Sequence, residues 1–248
     1  MRPPLPEGYR LFPAVGVEPS GIYEGLSLPE RNSKDAGLPF AFMNAVVSVD
    51  GSAALGGRAG GIGGGTDREV MRVLRSHADA VLVGANTLRA ERMSLSSEGR
   101  RSPEPLAVIL TSTGDVPLEN LLNMDAARTV VAVPRNVGKA KIGKLSGRVR
   151  ILRIAESPPL RPLLHTLRSD FGVSRVLIEG GPSLFGEAIS SGLVEELFLT
   201  ISPKIALESP AAFRRLVETP NGYPPVELHL ISVHESAGEL FLHYRIRH

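Results

Sequence analysis

The segment Ile178-Glu179-Gly180-Gly181-Pro182-Ser183 is the part of the sequence best suited to chemistry. It reads as the end of a buried strand, two glycines, and a helix start with proline at its first position. Backbone N–H groups and the positive end of a helix dipole then point outward together, which suits a phosphate or pyrophosphate. The glycines either let the backbone approach those oxygens or serve a tight turn only, and the pattern alone supports both equally. Glu179 ends a buried strand, where a carboxylate is costly unless it is paired or faces a cleft.

Three other strand ends carry candidate groups, on the rim where open α/β sheets bind ligands. Gly84-Ala85-Asn86-Thr87 offers an amide and a hydroxyl, as phosphate donors or as a helix N-cap at Asn86 or Thr87. Ser48-Val49-Asp50-Gly51 precedes a glycine loop, and on its own Asp50-Gly51 reads as a turn. Thr111-Ser112-Thr113 sets hydroxyls where a ribose or its 2′-phosphate would meet them.

These groups need a scaffold, and the pattern supplies an alternating one. Phe40–Val49, Asp79–Gly84, Leu106–Leu110, Thr129–Val133, Val149–Ile154, Arg175–Ile178 and Val194–Ser202 read as strands, most of them continuously apolar as in a parallel sheet. Gly56–Gly65 holds seven glycines in ten positions, too many for helix or strand, so this loop is mobile or its backbone approaches something closely. Thr66 and Glu69 then read as a capping box opening a helix with Val70, Val73, Leu74 and His77 on its apolar face. Arg68, Arg72 and Arg75 share the opposite face, which reads as solvated for Arg68 and Arg72.

A second helix opens at Ser157-Pro158-Pro159, carries Leu160, Leu163, Leu164 and Leu167, and stops at Gly172. A third runs over Gly181–Ser191, with Gly192 just past its end. Val226–His234 and Leu240–Ile246, joined by Glu235-Ser236-Ala237-Gly238, read as a hairpin, so the sheet ends antiparallel. Residues 1–38, rich in proline and glycine, read as an extended arm wrapping the surface, and residues 39–248 as one α/β domain.

Composition narrows the function. The 248 residues contain no cysteine, which removes thiolate nucleophiles, cysteine zinc sites and disulfides and fits a reducing cytoplasm. Twenty-eight basic against 26 acidic side chains and no tryptophan argue against a nucleic-acid surface. No apolar run approaches a membrane span, and the start MRPPLPEGYR has no apolar signal core. The six histidines show no metal spacing; His229, His234 and His243 read as surface or pocket-edge residues. The G-x-G-x-x-G dinucleotide fingerprint is missing, as are a P-loop and a Ser–His–Asp grouping.

Taken together, SVDG at 48–51, LRSHADAVLVGANTLRAE at 74–91 and IEGGPSLFGEAISSGLVEELFLTISPK at 178–204 resemble the reductase domain of the bacterial riboflavin-biosynthesis deaminase–reductase, in its stand-alone form. The resemblance implies a dihydrofolate-reductase-like fold: a mostly parallel mixed sheet, helices on both faces and a C-terminal antiparallel hairpin. It implies a homodimer and NADPH-dependent reduction of the ribosyl group of 5-amino-6-(5-phosphoribosylamino)uracil, with hydride delivered to C1 of the ring-opened imine. The H-x-E and P-C-x-x-C signature of the fused deaminase does not occur in this sequence.

Carried over by position, the resemblance gives the cofactor Val46, Gly61, Thr87, Glu91, Ser112 and the stretch Gly180, Gly181, Pro182, Ser183 and Leu184. It gives the substrate Arg75, Glu179 and Ala59, and makes Asp50 the acid of the S-x-D-G motif. Asp67 or Glu179 is expected to orient the substrate and relay the proton to the imine nitrogen, Asp67 equally reading as a helix-dipole acid. Ser52 stands where fused enzymes carry a base, and Glu91-Arg92-Met93 where they carry Asp-Asp-Pro, which loosens the substrate assignment. A related pteridine or pyrimidine reductase, including dihydrofolate reduction, and a non-catalytic NADP-binding protein are the competing readings.

Overall fold

A computed structural model describes residues 21–248 except 24, 92–93, 122–123, 155–158, 210 and 220–221. The first part of the expected arm and the Ser157-Pro158 helix opening therefore lie outside the described residues.

Among the described residues nine strands form one sheet in the order β5-β4-β3-β2-β6-β1-β7-β9-β8. They are β1 (Phe40–Ser48), β2 (Ala80–Gly84), β3 (Leu106–Leu110), β4 (Thr129–Pro134), β5 (Arg150–Ile154), β6 (Arg175–Ile178), β7 (Glu196–Ser202), β8 (Glu227–Ser236) and β9 (Glu239–Arg247). The first seven run parallel, while β9 pairs antiparallel with both β7 and β8. The hairpin turns through Ala237 and Gly238, both at positive φ, in keeping with a two-residue turn.

The helices are α1 (Gly65–Ser76), α2 (Ala85–Glu91), α3 (Leu118–Leu121), α4 (Lys139–Ile142), α5 (Leu160–Phe171) and α6 (Pro182–Ser190). Two buried apolar clusters account for the layering. Val70, Val73, Leu74 and Leu88 join Phe40, Phe42, Val81 and Val83 on one side of the sheet. Leu160, Leu163, Leu164, Leu167, Leu184 and Ala188 join Ala41, Met43, Leu82 and Ile178 on the other. Alternate residues of β1 and β2 thus feed opposite layers, which is why these strands read as continuously apolar. Gly172 closes α5 at φ +66, the left-handed geometry expected of it. Within the expected arm, Ile22, Tyr23, Leu28 and Leu38 are buried in the body.

Four expectations are corrected. Helix α1 starts at Gly65 after an N-cap at Gly64, so Thr66 and Glu69 form no capping box. Thr66 Oγ1 faces Ser236 Oγ at 3.5 Å, and the Glu69 carboxylate pairs with Arg72 and Arg100 instead. Helix α2 starts at Ala85, which puts Asn86 and Thr87 inside its first turn rather than at the cap. The glycine loop contains one 3-10 turn, Ala59–Gly61. His243 is buried, stacked on Phe198 with ring centroids 4.1 Å apart and bonded through Nε2 to Glu196 Oε2 at 2.8 Å.

Candidate active site

The C-terminal ends of β1, β2 and β6, with the glycine loop, enclose a cavity of about 470 Å³. From β6 the chain passes through Glu179 and Gly180 into Gly181, the N-cap of α6. Gly180 sits at φ +110, a conformation that side chains other than glycine's rarely adopt. Its carbonyl accepts the Gly84 N–H at 2.8 Å, tying this turn to the end of β2. A Cβ on Gly181 would lie 2.7 Å from Thr87 Oγ1. Both glycines are therefore needed where the backbone meets α2, and Gly181 and Pro182 bring the start of α6 to the cavity wall. First-turn N–H groups have no acceptor within their own helix, so this turn fits an anionic group.

The glycine loop is held by carboxylates. Glu91 accepts the N–H groups of Ala59 at 2.6 Å and Gly60 at 2.9 Å. Glu208 accepts the Gly56 N–H at 2.9 Å, and Glu239 accepts the Gly64 N–H at 2.7 Å. A Cβ on Gly63 would lie 2.0 Å from Asp67 Oδ2, and one on Gly64 would lie 2.9 Å from Glu239 Oε2. Close backbone approach, the second of the two readings, thus accounts for Gly60, Gly63 and Gly64, while Gly56 and Gly57 sit at φ +57 and +80.

Two acids of the cavity differ in electrostatics. Glu179 makes a bidentate pair with Arg75: Nε and Nη2 each donate to one of its oxygens at 2.7 Å, and the side chains are only 2% and 4% exposed. Among the described residues Asp67 has no such partner. Burial pushes its carboxyl up to about 6, with the nearby charges of Glu239 and Glu179 adding to the effect and Thr200 and Arg68 opposing it.

Val46, Ala59, Asp67, Thr87, Glu91, Glu179, Gly180, Gly181 and Pro182 all line the cavity, as the sequence had grouped them. Ser183 is exposed and Leu184 buried, both on the first turn of α6 without lining the cavity. Ser112 is exposed at the end of β3, on the same rim.

Three assignments are not met by the geometry. Arg75 is buried behind Glu179, and its remaining nitrogen donates to Ser96 O at 3.0 Å, so it supports the site from outside the cavity. Asp50 is exposed on the turn that ends β1, accepting from Ser48 Oγ at 2.5 Å and the Ala206 N–H at 3.0 Å. Those bonds hold its carboxyl below the usual range. Gly61 faces outward and gives its carbonyl to Lys204 Nζ at 2.9 Å.

The sequence reading missed Asn44, Arg68 and Met71, together with Arg214 and Leu216. Asn44 was legible as a polar residue inside an apolar strand. Arg214 and Leu216 come from the irregular segment after β7, which packs so tightly that a Cβ on Gly186 would lie 1.9 Å from Glu218 O. No local pattern announces such a contact.

Comparison with known proteins decides the family. Residues 39–214 match the RibD C-terminal domain. The chain belongs to the RibD C-terminal domain family. It is 31% identical over 177 residues to the 2,5-diamino-6-ribosylamino-4(3H)-pyrimidinone 5′-phosphate reductase of Archaeoglobus fulgidus, covering 66% of this chain and 80% of the relative. The enzyme of the same name from Methanothermobacter thermautotrophicus is 28% identical over 171 residues, covering 67% of this chain and 79% of that one. The solved structure of Acinetobacter baumannii RibD superposes with a TM-score of 0.72 at 24% identity, over 86% of this chain and 59% of that one. The expected dihydrofolate-reductase-like fold is thereby borne out. The RibD match ends before β8 and β9, so the closing hairpin lies outside it.

Proposed function

We infer that this RibD-family chain is a pyrimidine reductase, an oxidoreductase that reduces the ribosylamino group of a 6-(ribosylamino)pyrimidine 5′-phosphate to the ribitylamino product. One observation carries the reading: Asp67, a half-buried acid held toward its protonated form, shares a cavity with the start of α6, which fits a dinucleotide pyrophosphate. The named relatives favour this substrate class over dihydrofolate, and favour an enzyme over a binding protein. Their names specify the 2,5-diamino-4(3H)-pyrimidinone, a different ring from the uracil that the sequence resemblance implied.

The reducing cofactor is a nicotinamide dinucleotide, NADPH in our reading, and supplies the hydride when bound. Residues of this chain do the rest. The first turn of α6, with Thr87 and Asn86, holds the pyrophosphate, and Ser112 stands on the adenosine side of the rim. Val46 and Phe185 exclude water from the reacting carbon. Asp67 gives its proton to the imine nitrogen as the hydride arrives, so the nitrogen leaves the step as a neutral amine. Glu179 has both oxygens engaged by Arg75, so it orients the substrate and leaves the proton transfer to Asp67.

A homodimer working in the cytoplasm completes the reading. Support comes from Leu228, Leu230 and Ile231, 42–45% exposed on β8 at the edge of the sheet, and from the lack of cysteine. The functional reading is tested by following loss of NADPH absorbance with the 2,5-diamino-pyrimidinone, the aminouracil and dihydrofolate offered separately. Turnover confined to the two ribosylaminopyrimidines supports it, and turnover of dihydrofolate alone overturns it.

A further inference from the structure

We propose that Glu239, at the start of the C-terminal strand β9, is a positioning residue for Asp67 and thereby sets when the proton is available for transfer. The proposal rests on the reading of Asp67 as proton donor.

Glu239 does not line the cavity, yet its side chain reaches the end of the glycine loop. It is a carboxylate only 4% exposed, and its Oε1 accepts the Gly64 N–H at 2.7 Å. Gly64 is the N-cap of α1, so a side chain from another part of the fold does there what an Asp or Ser cap would do locally. The next contact runs the other way: Gly63 lies against Asp67 so closely that a Cβ would sit 2.0 Å from Oδ2. Glu239, Gly64, Gly63 and Asp67 therefore form one continuous contact from the hairpin to the cavity.

The same carboxylate acts through space. Groups facing Asp67 are Glu239 from β9, Glu179 from β6, Thr200 from β7 and Arg68 from its own helix. Glu179 has its charge offset by Arg75 at 2.7 Å, while the only hydrogen bond that the Glu239 side chain makes among the described residues is to a backbone N–H. Of the two carboxylates, Glu239 has the larger influence on Asp67. Like charges in a half-buried site favour retention of a proton.

The experiment compares pH–rate profiles of the parent, Glu239→Gln and Asp67→Asn. Glutamine keeps an acceptor for Gly64 and removes the charge. Glu239→Gln is expected to move the high-pH limb of kcat down by about half a unit or more, with KM for NADPH unchanged. A purely structural role would change stability and leave that limb in place. An unmoved limb in Glu239→Gln, where Asp67→Asn has abolished the limb, overturns the role of Glu239 alone. A limb that persists in Asp67→Asn overturns the reading of Asp67 and the present proposal with it. Should Glu239→Gln fail to fold, Gly64→Ala presses a Cβ on the same carboxylate at 2.9 Å. It shifts the charge relative to Asp67 and is expected to move the limb, and no movement overturns the proposal.

Discussion

The guanidinium of Arg75 donates to both oxygens of Glu179 at 2.7 Å, and the pair is almost fully buried beneath the cavity. An acid at the end of a buried strand must be paired or face a cleft, and Glu179 does both. Removing one partner leaves an uncompensated buried charge, at a cost of about 3–5 kcal/mol. Arg75→Ala is therefore expected to lose stability on that scale in urea unfolding, although Arg75 does not line the cavity. Glu179→Gln is expected to slow turnover while NADPH still binds, without removing the high-pH limb of the rate profile. Unchanged turnover in Glu179→Gln would take Glu179 out of the mechanism.

Asp67 carries the proton. Replacing it by Asn keeps its size and removes the acid, so kcat should fall by roughly 10²–10⁴-fold. The cofactor Kd, set mainly at the α6 turn, should stay within about twofold, a margin well under 1 kcal/mol. Pre-steady-state reduction and a cofactor titration on one preparation check the two halves.

The same group gives a stability signature. Its folded-state value of about 6 lies above its ordinary 3.8, so its contribution is fully present below 3.8 and is lost as pH rises through 6. The loss amounts to no more than roughly 3 kcal/mol. Asp67→Asn should thus match the parent in urea unfolding near pH 4 and exceed it near pH 8. A variant less stable than the parent near pH 8 would contradict the burial argument.

Much of this site could be read from the chain, and the reason is local geometry. Glycine at 180, 181, 63 and 64 is required by φ or by near contact, and such positions announce themselves by residue type. The strands showed through because both faces of β1 and β2 are apolar. The resemblance gave Arg75 to the substrate, whereas its bond to Glu179 across 104 residues buries it outside the cavity. Glu239 and Arg214 escaped for a similar reason: each reaches the site over a long sequence separation, and no periodicity encodes that. Asp50 was overvalued; as its dipeptide with Gly51 suggests, it holds a turn.

Gly181 tests the backbone fit. A Cβ there meets Thr87 Oγ1 at 2.7 Å, so Gly181→Ala should push α2 from α6 and weaken NADPH binding by about tenfold, or 1.4 kcal/mol. Removing the opposing hydroxyl in Gly181→Ala/Thr87→Ala should relieve the clash and restore part of the affinity. Isothermal titration of the two variants checks this. Equal affinity in parent and Gly181→Ala would mean the cofactor binds elsewhere.

The most direct test of the account is a titration of the protein with NADPH, followed by addition of the 2,5-diamino-6-ribosylaminopyrimidinone 5′-phosphate while cofactor absorbance is recorded. Saturable binding, then oxidation that Asp67→Asn abolishes without loss of binding, is the expected result. No saturable binding, or oxidation undiminished in Asp67→Asn, would contradict it.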